Sequence, residues 1–152
     1  MQRLAVMLAT VGPVGRVPLA PGTAGSLVAL PLLPGLGVLR ARSLVVSLVI
    51  VLMLVAVAVW AAERAEVALG GHDHGAIVID EVAGLVVAGL LIPGTWGAAV
   101  LALVLFRVLD VVKPFPAGLI DARLRGGLGV VGDDVVAGLY AGLLARLVLE
   151  LA

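Results

Sequence analysis

The sequence predicts an all-α integral membrane protein, a helical bundle of roughly four to six helices with some of them broken or re-entrant. Two observations carry this. The 152 residues are 62% hydrophobic and only 13% charged, with a mean hydropathy of +1.26, whereas soluble domains carry roughly 25% charged residues. Such a chain lacks the polar groups to clothe a water-facing surface. Uncharged runs of membrane-spanning length also follow one another, and no strands are needed to account for them.

Met1-Gln2-Arg3 followed by Leu4 to Val11 has the outline of a short signal sequence. Its apolar core is short and no small-x-small cleavage site follows, so it reads as a retained amphipathic or partly inserted segment. Val17 to Leu39 is uncharged but holds Pro18, Pro21, Pro31 and Pro34, which predicts broken or re-entrant structure. Within it, Pro21 to Ser26 reads as a turn. Ser43 to Ala62 is the cleanest span, flanked by Arg40 and Arg42 on one side and Glu63-Arg64 on the other. Val82 to Phe106 is interrupted by Pro93-Gly94, which predicts two helices meeting near that turn. Val135 to Leu151 is helical in period, with Arg146 and Glu150 near its end. Basic residues flank most segments, so the sequence shows no marked asymmetry from which to orient the chain.

The length suggests one domain over residues 1–152. Ten basic and ten acidic residues give a formal net charge of zero, and aromatics make up only 3%, which argues against nucleic acid as a partner. The absence of cysteine excludes disulfides, thiolate metal sites and a cysteine nucleophile.

Three polar clusters interrupt this hydrocarbon. A buried carboxylate costs several kcal/mol unless a cation, a metal or water compensates it, so each cluster is a candidate site. The first is the glycine-rich loop Gly70-Gly71-His72-Asp73-His74-Gly75 leading to Asp80-Glu81. Negative charge suits a helix start and Asp80 could simply cap it; the alternative is metal or acid–base work. Gly84, about one turn on, removes side-chain bulk and admits another backbone or a head group. The second is Arg107-x-x-Asp110-x-x-Lys113-Pro114. Arg107 and Asp110 share a helical face, and Pro114 should end the helix at Lys113, where an anion could be met. The bland reading is a snorkelling Arg and Lys paired with Asp110. The third is Gly126-Gly127-Leu128-Gly129-Val130-Val131-Gly132-Asp133-Asp134, read as a loop feeding a helix with Asp133 at its N-cap. Two adjacent like charges are most easily held when a divalent cation shares them.

Hard oxygen donors beside cationic residues are the ingredients of metal-assisted phosphoryl chemistry. A cysteine nucleophile is absent, His72 and His74 lack an arginine-histidine-glycine context, and no Asp-x-Asp pair supports an aspartyl-phosphate. A metal-activated water survives this elimination.

The motifs Pro21-Gly22-Thr23-x-Gly25-Ser26, Asp73, Asp80-Glu81-x-x-Gly84, Phe106-Arg107-x-x-Asp110-x-x-Lys113-Pro114-x-Pro116 and Gly126-Gly127-x-Gly129 with Asp133-Asp134-x-x-Ala137-Gly138 occur in that order. Together they resemble the phosphatidylglycerophosphatase A family over about Pro21 to Gly142. The resemblance implies an all-helical, multi-pass protein of the bacterial inner membrane. It implies a magnesium-dependent phosphatase that converts phosphatidylglycerophosphate to phosphatidylglycerol and inorganic phosphate. On this reading Asp80, Glu81, Asp110 and Asp134 hold one or two Mg2+ ions, and Asp133 is a ligand or the general base. Lys113 and Arg107 neutralise the phosphate, Thr23 and Ser26 bind a phosphate or glycerol oxygen, and Asp73 joins the substrate-binding group; His74 stays outside the core site.

Three other readings compete. Broken helices and intramembrane carboxylates also suit an ion- or proton-coupled transporter, although the halves show no internal repeat. A lipid phosphotransferase of the CDP-alcohol type also holds magnesium on membrane helices, but its Asp-Gly…Ala-Arg…Gly…Asp…Asp pattern is missing. A purely structural subunit leaves the carboxylates unexplained. Gly84, Gly89, Gly138 and Gly142 allow close helix packing within or between chains, so a homo-oligomer is among the expectations.

Overall fold

The computed structural model describes residues 1–71 and 74–152. Among these it contains α-helices α1 (Gln2–Ala9), α2 (Pro21–Ala29), α3 (Leu32–Arg42), α4 (Leu44–Leu69), α5 (Ile79–Gly89), α6 (Trp96–Val112), α7 (Ala117–Arg123) and α8 (Gly127–Leu151), with one 3-10 turn at Val14–Arg16 and no strand. The all-helical class is as expected from the sequence. Five helices have eleven residues or more; α1, α2 and α7 are the additional short pieces between breaks.

Local chemistry explains most boundaries. Ser43 caps α4 by accepting from the Val46 amide at 3.3 Å, and Gly70, left-handed at φ 81°, ends it. Thr95 caps α6 in the same way through the Ala98 amide at 3.3 Å. That helix stops where Pro114 required, with Lys113 at φ 47°. Pro93-Gly94 lies in the turn between α5 and α6. Leu30-Pro31 divides α2 from α3, the expected break, yet Pro21–Arg42 together is long and apolar enough to cross a membrane, as are α4 and α8.

Three local readings need correction. Pro21 to Ser26 is the start of α2, with Pro21 at the first helical position, where its missing amide costs nothing. Asp80 does not cap α5: the helix begins at Ile79, Val78 takes the N-cap position without a side-chain bond, and Asp80 and Glu81 sit in the first turn. The glycine-rich stretch is helical from Gly127, so Asp133 lies in the second turn of α8 and not at its N-cap. Glycine's low helix propensity is overridden there by tertiary contact. The Glu63 carboxylate accepts from the Gly127 amide at 2.6 Å, and a Cβ on Gly127 would collide with the Val59 carbonyl at 2.0 Å.

The bundle is built around α5 and α8. All of α5 except Glu81 is buried, and its eleven residues span only about 16 Å, about half a bilayer core. α8 packs against α4, α5, α6 and α7. Its closest approach to α5 is at Gly138, where a Cβ would lie 2.0 Å from the Gly84 carbonyl oxygen. Gly84 therefore admits a backbone. Ala88 meets Gly142 one turn further on, so α5 and α8 run parallel. Outward-facing residues of α4 are apolar, with Val45 70%, Leu52 65% and Met53 63% exposed, a surface suited to lipid.

Candidate active site

The Gly84–Gly138 crossing dictates the geometry of the charged residues. Asp80 lies one turn before Gly84 and Asp134 one turn before Gly138, so two parallel helices in near backbone contact carry their carboxylates at the same level. Asp80, Glu81 and Asp134 each offer an oxygen, and the three oxygens lie within 4.8 Å of one another. Asp80 is 8% and Asp134 4% exposed. Asp80 Oδ1 and Glu81 Oε2 are buried without a hydrogen-bond partner, a costly state for an ionised oxygen unless a cation answers it.

Around this group lies a cavity of about 110 Å³ lined by Asp80, Glu81, Asp110, Lys113, Asp121, Asp133 and Asp134, together with Gly129 and Val130. A water needs roughly 10–15 Å³ of such space, so the cavity admits several waters or a hydrated ion. The end of α6 supplies its cationic side. Lys113 Nζ donates to Asp133 Oδ2 at 2.7 Å and lies 3.0 Å from Asp121 Oδ1. Burial alone would lower the Lys113 pKa, but hydrogen bonds to Asp133 and Asp121 and their charges outweigh it and raise it above the usual lysine value. Tyr140 on α8 donates to the Phe115 carbonyl at 3.0 Å, which ties the turn after Lys113 to α8.

Arg107 Nη1 stands 2.9 Å from Asp110 Oδ2 and 4.0 Å from Glu81 Oε1. No N–H of that nitrogen is aligned for a hydrogen bond, so the contact with Asp110 is an ion pair, and both N–H donors of the nitrogen remain unspent. Gly22 at the start of α2 abuts the Glu81 carboxylate.

The chain matches the phosphatidylglycerophosphatase A family profile over residues 7–149. This chain belongs to the phosphatidylglycerophosphatase A family. Two proteins named phosphatidylglycerophosphatase A are close in sequence. The one from Escherichia coli is 36% identical over 130 residues, covering 84% of this chain and 73% of that one. The one from Haemophilus influenzae is 35% identical over 123 residues, covering 80% and 74%. A relative from Bacteroides thetaiotaomicron, 32% identical over 143 residues (91% and 89%), carries a provisional phosphatidylinositol-3-phosphatase name. No solved structure matches the chain.

Within this family member, the residues singled out from the sequence divide into groups. Asp80, Glu81 and Asp134 converge in one carboxylate cluster. Asp110, Asp133 and Lys113 line the same cavity, Asp133 turned toward Lys113 and Asp110 paired with Arg107. The bland pairing of Lys113 with Asp110 is replaced by Lys113 with Asp133 and Asp121. Thr23 and Ser26 do not line the cavity; Ser26 is buried and donates its hydroxyl to the Gly22 carbonyl at 3.0 Å. Asp73 lies outside the described residues. Two partners escaped the sequence reading. Asp121 is the sole acid between Asp110 and Asp133, in a stretch whose other charges are Lys113, Arg123 and Arg125, and that isolation was a usable signal. Glu63, read only as a flank of a span, holds the start of α8.

Proposed function

We propose that this protein hydrolyses the terminal phosphate monoester of phosphatidylglycerophosphate, releasing phosphatidylglycerol and inorganic phosphate at the membrane. Family membership supports the reaction and substrate class. The observation that carries the site assignment is the convergence of Asp80, Glu81 and Asp134, with Asp80 and Asp134 buried and an oxygen of Asp80 and of Glu81 unpartnered, beside a cavity that Lys113 lines.

Three carboxylates with oxygens this close fit a hard divalent cation such as Mg2+, with Asp110 and Asp133 beside them. When bound, such a cation supplies Lewis-acid polarisation of a phosphoryl oxygen and makes water more acidic. The chain's own groups do the rest. Lys113, held by Asp133 and Asp121, faces the charge that grows on the phosphoryl oxygens. Asp133 Oδ1 is buried and unpartnered, free to take the proton of the attacking water as the ester P–O bond breaks and the departing glycerol oxygen takes up a proton from water in the cavity. Arg107, paired with Asp110, adds positive charge behind Glu81. The acyl chains can stay in lipid, because the cavity lies at the starts of α5 and α8 and the end of α6, beside α7.

The fold also separates the basic residues in a way the linear sequence did not reveal. Lys113, Arg123 and Arg125 adjoin the cavity in sequence, Arg64 follows the Glu63 that touches α8's start, and Arg3 and Arg16 line a cavity with Leu69 at the end of α4. Arg40 and Arg146 share a cavity with Pro93 at the opposite end. Under the positive-inside rule, this excess supports a multi-pass arrangement in the bacterial inner membrane with the site facing the cytoplasm. The transporter reading finds no support: α5 after Glu81 and α8 between Asp134 and Arg146 contain no Asp, Glu, Lys or Arg to relay a charge.

The test is phosphate release from phosphatidylglycerophosphate by purified protein. Activity should disappear with chelator and return with excess magnesium. Full activity in chelator contradicts the cation, and no release under any condition contradicts the substrate.

A further inference from the structure

On the other side of α5 from the carboxylates, two cavities of opposite character join. One, of about 690 Å³, lies between α1, the Val14–Arg16 turn and the end of α4; its lining includes Arg3, Arg16, Thr10 and Leu69. Neither arginine has an acidic partner among the described residues. The other, of about 480 Å³, is a groove lined by apolar side chains such as Met7, Leu54, Val57, Ile79 and Val82. The two share Met7 and Gly12. At this junction Val11 and Gly12 both adopt left-handed backbone, φ 47° and 64°, an uncommon state for a β-branched valine. The hydroxyl of Thr10 donates to the Gly12 carbonyl at 2.9 Å and fixes the turn.

From Leu69 to Leu54 the pair of cavities follows α4 inward over roughly 22 Å. The cationic part lies at the water-facing end and the apolar part toward the bilayer interior. That is the polarity of a phospholipid: phosphate on two guanidinium forks, an acyl chain along the groove. We propose that this face holds one anionic phospholipid at a second site, distinct from the catalytic cavity. The two sites share no lining residue, since Asp80 and Glu81 face one and Ile79 and Val82 the other. Their link is mechanical. A Cβ on Gly15, inside the turn that carries Arg16, would strike the Ala76 carbonyl at 2.0 Å, and the Val78 amide donates to the Ala9 carbonyl at 2.9 Å. These contacts within the protein anchor the segment that leads into Asp80 without help from the lipid.

The experiment uses the full chain in detergent, with retained lipid read by native mass spectrometry. Phosphatidylserine, which is anionic and is not the product of the proposed reaction, is compared with phosphatidylcholine and with inorganic phosphate. Phosphatidylserine should be retained about tenfold better than phosphatidylcholine, with inorganic phosphate not retained. Arg3→Gln/Arg16→Gln should abolish the preference, and Val57→Trp should reduce retention of both lipids. Arg16→Gln alone should weaken the preference if the double variant folds poorly. Phosphate release from a short-chain substrate should be unchanged in the arginine variants. Equal retention of the two lipids, or a preference that survives in the arginine variants, overturns the proposal. Retention of inorganic phosphate unaffected by Val57→Trp makes this an anion site and overturns the lipid. A raised KM for long-chain substrate with unchanged phosphatidylserine retention assigns the face to the substrate and also overturns it.

Discussion

Replacing Gly138 with alanine perturbs the one contact that brings the carboxylates level. The new Cβ would stand 2.0 Å from the Gly84 carbonyl oxygen and 2.7 Å from its carbon, where ordinary contact begins at 3.4 Å. Both atoms are backbone, so no rotamer change relieves the clash, and the helices must part by roughly 1.4 Å. Overpacking of this kind costs about 1–3 kcal/mol, against roughly 1 kcal/mol gained from alanine's helix propensity. The net loss is therefore small, about 0–2 kcal/mol, or a fall of at most roughly 8 °C in Tm. Catalysis suffers more: a misplacement of about 1 Å can cost roughly 100-fold, and the separation acts one turn from both Asp80 and Asp134. Gly142→Ala is the graded control, because its Cβ meets the Ala88 carbonyl at 2.8 Å, one turn further from the carboxylates. The assay is kcat/KM for phosphate release from phosphatidylglycerophosphate, with Tm measured on the same preparation. Gly138→Ala should lose about two orders of magnitude in kcat/KM, and Gly142→Ala much less. Wild-type kcat/KM in Gly138→Ala would refute the reasoning.

Lys113→Met should raise KM sharply and lower Tm, since it leaves Asp133, whose side chain is only 7% exposed, facing Asp121 without a cation; because the lysine itself is 31% exposed, we expect a loss of about 1–3 kcal/mol rather than the full cost of a buried pair. The Lys113 pKa is raised, so this stabilisation is complete below the free-lysine value of about 10.4 and is lost only as pH climbs through the folded value. The Tm gap between wild type and Lys113→Met should therefore stay constant from about pH 7 to 9, and a gap that closes over that range contradicts the ion pair. Glu63→Ala should destabilise α8 by about 0.5–2 kcal/mol, as loss of an N-terminal cap does, with Glu63→Gln recovering much of it; a thermal melt of each variant decides, and an unchanged Tm for Glu63→Ala removes that role.

What could be read in the chain follows from the range of the forces involved. Spans bounded by charges, the Pro93-Gly94 turn and the stop at Lys113-Pro114 are local effects of burial and backbone geometry, and the sequence displays them directly. The start of α8 is not local. Four glycines before Asp133 argue for a loop, yet Glu63, 64 residues away, holds the Gly127 amide, and Gly127 can lie against α4 only because it lacks a side chain. Local reasoning therefore misplaced Asp133 as a cap. The composition of the site was legible as three acidic clusters with a lysine and an arginine, because buried charge is so unfavourable in an apolar chain. Its pairing was legible only in part: Arg107 and Asp110 lie three residues apart on one face of α6 and do pair, whereas the choice of Asp133 and Asp121 for Lys113 depends on how α7 and α8 pack. Gly84 and Gly138 were visible as small residues, but only the fold shows that each serves the other and thereby sets Asp80 beside Asp134.

The most direct test compares Asp80→Asn, Asp134→Asn and the double variant for phosphate release, with circular dichroism to confirm folding. If these two carboxylates act as one cluster, each single change abolishes most activity and the double change adds little further. Near-wild-type activity in either single variant, or losses that multiply independently, would contradict the shared site.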